Sequence, residues 1–235
     1  MMKLFQFAPA FGLPVSESPF CTKVEIYLRL TQTEYSCEVG RPRKSPNSQV
    51  PYAMWPDGTS AAGSDEIIAR LERQGVRLDS GLTPSESARH DDIVEIAQSV
   101  VYFGGLYSRF SDPGWTHQKA LVQARVPKLT AWFSVPQIRR ARLKLCARHG
   151  FKSVTDTGKP VAAIEAIEER LGQNDFLFGN RCPRVADCAV WAMLTHTAFT
   201  LVSSPARTAV RNSEHLMGYI QRLARRADLT LPPLG

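Results

Sequence analysis

Between Val185 and Val202 the chain carries a single formal charge, Asp187, and apolar residues fall on nearly every side of a helical wheel. A helix that is apolar all round has no face for water, so other elements must wrap it. No apolar run in the chain reaches the length of a membrane span. The helix therefore predicts a buried centre inside a helical layer. Hydrophobic residues make up 43% of the 235 positions, enough for a full core. That length suits one large or two small domains.

The segments before and after this stretch read as its neighbours. Residues 87–110 carry Ile93, Ile96, Val100, Phe103 and Tyr107 at helical spacing, and Val161, Ile164, Ile167 and Leu171 repeat the pattern. Residues 115–148 read as one long helix or two, broken or kinked near Pro127 and Pro136. A last helix is expected over 216–223. The first third differs. Residues 3–7 and 34–39 read as strands, 52–55 and 59–61 as a hairpin around Pro56-Asp57-Gly58, and 18–31 and 64–74 as helices. The order is β-α-β, a polar loop, then β-β-α. The fold class is thus α/β plus all-α, with a Ser-, Gly- and Pro-rich boundary near 79–85.

Ser18-Pro19-Phe20-Cys21 opens the first helix directly after a strand and loop. Ser18 suits an N-cap and Pro19 the first helical position. The amides and dipole of such a start favour an anion, a thiolate included. Ser18 is thus either a helix cap or a thiol-contacting group. Cys21, one turn in, reads as a small core residue.

Five cysteines show no metal-ligand spacing, and no metal is expected. An odd count without a disulfide framework fits a reducing, cytoplasmic setting. Pro9 and Pro14 interrupt the N-terminus, which does not read as a signal peptide. Net charge is +7, concentrated around Arg139, Arg140, Arg142 and Lys144 and around Arg222, Arg225 and Arg226. With no nucleic-acid motif beside them, these read as solvated helix faces; neither nucleic acid nor membrane is the expected partner.

Together these features resemble the glutathione transferase superfamily. Ser18-Pro19-Phe20-Cys21 matches its helix-opening nucleophile or thiol stabiliser, Val50-Pro51 its cis-proline, and Gly63-Ser64-Asp65 the start of its third helix, where an acid usually precedes the serine. Residues 176–183 with Asp187 resemble the segment before its buried helix, with Asp187 in a capping contact. The details look most like the branch with failed-axon-connections, metaxin-like and related bacterial transferases. The resemblance implies a thioredoxin-like domain over residues 1–77 and an all-helical domain over 84–235. It implies glutathione as co-substrate, thiol stabilisation by Ser18, binding by Val50, Pro51, Ser64 and Asp65, and a small apolar electrophile near Tyr102, Phe103 and Tyr107. Those aromatics read equally as core. A non-catalytic binding or adaptor protein and a specialised glutathione-dependent lyase or isomerase are the alternatives.

Two positions depart from the pattern. Gly63 replaces the acid that would meet the ligand's ammonium, and Arg184 stands where a Ser or Thr would cap the buried helix. A homodimer is expected, with Asp91, Asp92 or Glu95 of one subunit as a substitute carboxylate for the other.

Overall fold

The computed structural model describes residues 1–179 and 181–234, so Asn180 of the 176–183 segment lies outside the described residues. The first third is β1 (Met2–Gln6), α1 (Pro19–Leu30), β2 (Tyr35–Val39), β3 (Tyr52–Met54), β4 (Ser60–Ala62) and α2 (Ser64–Arg73). The strands form one sheet in the order β2-β1-β3-β4. β2 is parallel to β1, which requires the α1 crossover; β3 and β4 are antiparallel neighbours. The polar loop after β2 holds only a short helical turn, Pro42–Lys44.

Among the described residues the named elements after the linker are all helical. α3 (Pro84–Glu95) runs through a π-helical turn (Ile96–Val101) into α4 (Tyr102–Phe110). Then come α5 (Trp115–Gln123), α6 (Ala131–Arg148), α7 (Gly158–Leu171), α8 (Val185–Phe199), α9 (Pro205–Asn212) and α10 (Glu214–Arg226). α3 starts earlier than the apolar spacing predicts, because Thr83 and Glu86 cap each other's backbone amides around Pro84. The break at Pro127 is present, but Pro136 lies inside α6. It leaves unmatched only the carbonyl of Trp132, a residue 80% exposed to solvent. α4 and α7 touch because Gly104 has no side chain: a Cβ there would come within 2.1 Å of Pro160.

Every residue of α8 is buried, as its composition requires, and Trp191 donates from Nε1 to the Ile220 carbonyl at 2.8 Å. One continuous core runs from Leu4, Val24 and Ile67 of the sheet region to Trp191, Met193 and Tyr219 of the helical region. Among the described residues no helix is long and apolar enough to cross a membrane.

The linker is fastened to α8. Arg184 donates to the carbonyls of Leu78 (2.7 Å) and Ser80 (2.9 Å), and Asp79 accepts from the Val185 amide (3.0 Å). Asp79 also meets His90 Nε2 at 3.0 Å. Asp79 thus serves the helix start that Arg184 cannot cap. The Asp187 carboxylate accepts from the Arg184 amide at 2.7 Å, completing the other half of the cap.

Candidate active site

The site begins at the start of α1. Ser18 has extended backbone (φ −89°, ψ 120°), and its hydroxyl makes no bond to the first-turn amides. The amides of Phe20 and Cys21 find no backbone acceptor among the described residues. This helix start therefore keeps its positive end and a partly exposed hydroxyl uncommitted to capping. Cys21 beneath is fully buried, and burial pushes its thiol up to about 11 against opposing hydrogen bonds from Ser18 and Ser16. It stays protonated at neutral pH and is no nucleophile.

Two further backbone features belong to the positions read from the sequence. The Val50-Pro51 peptide is cis, and neither the amide nor the carbonyl of Val50 is hydrogen-bonded among the described residues. Gly63 (φ +102°, ψ 144°) places Ser64 at the start of α2, with its side chain buried and its hydroxyl without a partner among the described residues. The structure thus has a free strand-like edge at Val50 and a free helix start at Ser64, features that suit a ligand with a peptide backbone and carboxylates.

Between the start of α1 and helices α4 and α8 lies a narrow, open-mouthed cleft enclosing about 30 Å³, lined by Pro19, Tyr102, Arg109, Met193, His196 and Thr200 among others. Thr22 holds its rear wall together. Its hydroxyl donates to the Ser16 carbonyl (3.1 Å) and lies 3.0 Å from His196 Nε2. Burial, with the Arg109 charge adding to it, pushes His196 down to about 3, so its ring is neutral.

Residues 19–115 match the family described as Glutathione S-transferase N-terminal domain, and residues 161–223 match Glutathione S-transferase, C-terminal domain. The chain belongs to the glutathione transferase superfamily. Similar solved structures support the fold. A glutathione S-transferase domain-containing protein from Marinobacter aquaeolei VT8 is 20% identical, with TM-score 0.64, and covers 97% of this chain and 100% of its own. Beta-etherase LigF from Sphingobium sp. strain SYK-6 is 17% identical, with TM-score 0.65, covering 95% of this chain and 94% of its own. Glutaredoxin 2 from Salmonella typhimurium, solved in complex with glutathione, is 13% identical, with TM-score 0.55, covering 98% and 96%.

Among superfamily positions read from the sequence, Ser18, Val50, Pro51 and Ser64 stand as described above. Asp65 is committed elsewhere: its carboxylate meets the buried Lys23 ammonium at 2.5 Å. Gly63 is in a left-handed conformation that an acidic side chain would enter only with strain. Of the three aromatic candidates, only Tyr102 lines the cleft, with its ring edge-on to Phe20 at 4.8 Å. Phe103 instead stacks on His149 at 3.6 Å, and Tyr107 packs with Phe110 and Phe151 in the α4–α6 core. Helix geometry explains the split, because positions 102, 105 and 109 share a face that 103 and 107 do not. The same spacing is the signal that could have found Arg109. For His196 the only signal was a titratable side chain within an apolar helix.

Proposed function

We propose that this protein binds glutathione and activates its thiol for reaction with a small electrophile held in the cleft between the start of α1 and helices α4 and α8. The observation that carries the reading is the Ser18 hydroxyl, which does not cap its own helix and directly precedes Pro19, a residue that lines the cleft. Glutathione would supply the sulfur. Ser18 would donate a hydrogen bond to it, and the free amides of α1 would lower its proton affinity. Val50 would pair with the peptide backbone, next to Pro51, and Ser64 with the α2 start would hold a carboxylate. A cytoplasmic setting belongs to this proposal, and all five cysteines are free. Calorimetry should give a dissociation constant below about 10 mM; no heat and no thermal protection at that concentration would sink the binding reading.

A binding or adaptor role is favoured by one observation, the absence of a free acid where the ligand's ammonium would lie: Gly63 has none, and Asp65 is taken by Lys23. Glutathione binding without turnover of any test electrophile favours the specialised lyase or isomerase alternative; neither binding nor turnover favours the adaptor.

A homodimer is part of the proposal. Asp92 and Glu95 are exposed on α3 and carry no ion pair among the described residues, and Asp91 is exposed beside His90. Any of them could supply the missing carboxylate to a partner's site. With +7 charges per chain, association should tighten as salt rises. Light scattering across salt and protein concentration checks this; a 26.1 kDa species under all conditions refutes the dimer and the shared site together.

A further inference from the structure

Among the described residues Arg109 is the one guanidinium lining the cleft. Its Nε donates to the Gly105 carbonyl at 3.3 Å, within its own helix. No carboxylate comes within ion-pair distance of it among the described residues. The neighbouring arginines differ. Arg125 is paired with Glu17, and Arg139 meets Asp112 at 2.8 Å. Arg142 on α6 adds a second positive charge that acts on both Arg109 and Arg125. Burial holds Arg109 below its ordinary value, yet a guanidinium stays charged at neutral pH. Arg109 is half-buried, and the part of its fork not bonded to Gly105 suits a planar oxyanion.

A second polar group, on α8, lines the same cleft but offers a lone pair, so it suits a donor on the guest and leaves the anion to Arg109. His196 is 8% exposed, and its Nδ1 has no partner among the described residues. The Thr22 hydroxyl proton goes to the Ser16 carbonyl, so His196 Nε2 carries the ring proton and Nδ1 is left as an acceptor. Neither group belongs to the glutathione surface proposed above, since Val50, Pro51, Ser64 and Asp65 do not line this cleft.

We infer that the cleft is selective for acceptor molecules bearing a carboxylate, which Arg109 binds through its guanidinium. The inference rests on the transferase reading for what happens to the acceptor, but not for the anion site itself. It narrows the small apolar electrophile to one with an apolar body against Tyr102 and Met193 and an acidic end at Arg109.

Ethacrynate and its methyl ester test the selectivity in turnover. Each reacts by adding the thiol across its activated double bond, sulfur to one carbon and proton to the other, with no leaving group. Their saturated analogues, which cannot react, test binding alone by calorimetry. The wild-type protein should bind the saturated acid roughly ten- to hundredfold more tightly than its ester, the range for one charge-assisted contact. Arg109→Met should abolish that preference, raising KM for ethacrynate with little change in kcat, and Arg109→Lys should restore part of it. Equal wild-type affinity for acid and ester overturns the inference, and this comparison holds even if Arg109→Met fails to fold. Displacement of the saturated acid by glutathione also overturns it, because the site would then hold glutathione's own carboxylate. Acid-selective binding without turnover of either electrophile would leave the anion site standing and remove the transferase reading.

Discussion

Ser18→Ala is expected to lower glutathione-dependent turnover roughly ten- to a thousandfold, the range for losing one oriented donor to a developing charge. The effect should lie in the thiol. The pKa of bound glutathione, read from thiolate absorbance, should rise in the variant. Because the Ser18 hydroxyl makes no capping bond, the substitution should leave the melting temperature nearly unchanged. An unchanged rate would remove Ser18 from the chemistry. Cys21→Ala serves as the companion control: its thiol is fully buried and pushed up to about 11, so activity should persist.

The largest stability effect is expected at Asp187. It is fully buried and accepts from the Leu177 amide (3.0 Å), the Arg184 amide (2.7 Å) and the Tyr219 hydroxyl (3.0 Å). Asp187→Ala leaves three buried donors without an acceptor and should cost about 3–5 kcal/mol, a large part of a typical domain's stability. Urea denaturation measures this; a loss under about 1 kcal/mol would show that water replaces the carboxylate. The pH dependence has a definite sign. Burial raises Asp187 from 3.8 to about 6, against the hydrogen bonds it accepts. The folded state thus holds this proton more tightly than the unfolded chain. Its contribution is full below about pH 4 and is lost as pH rises through 6. Wild type should lose stability across that window relative to Asp187→Asn, which cannot titrate.

The two-part architecture was legible because its signals are local. Strand and helix periods, the Pro56-Asp57-Gly58 turn and the apolar circumference of α8 each specify an element without help from elsewhere. What escaped depended on contacts between distant positions. α9 is short, with only Ala206 and Val210 buried, too few to form a visible stripe. The acceptor that stands in for the cap Arg184 lacks, Asp79, comes from the linker and is not readable from the sequence around Arg184. The cleft was partly legible. Aromatics at 102, 103 and 107 could be assigned to α4 from their spacing, but not to one of its faces until α6 and α7 were in place.

If the cleft takes a guest as proposed, the fastening of the linker to α8 bears on how that guest would reach it. Arg184 and Asp79 join the connecting segment to the helix whose far end carries His196, and the core continues beneath that joint. A connector pinned at several carbonyls and an amide is a poor hinge, so the two regions should not swing apart to admit a guest. Entry must then come from rotation of side chains at the rim, such as Tyr102. The proposed acceptor site would accordingly behave as a rigid slot, whose width one substitution at the rim should alter without disturbing the fold.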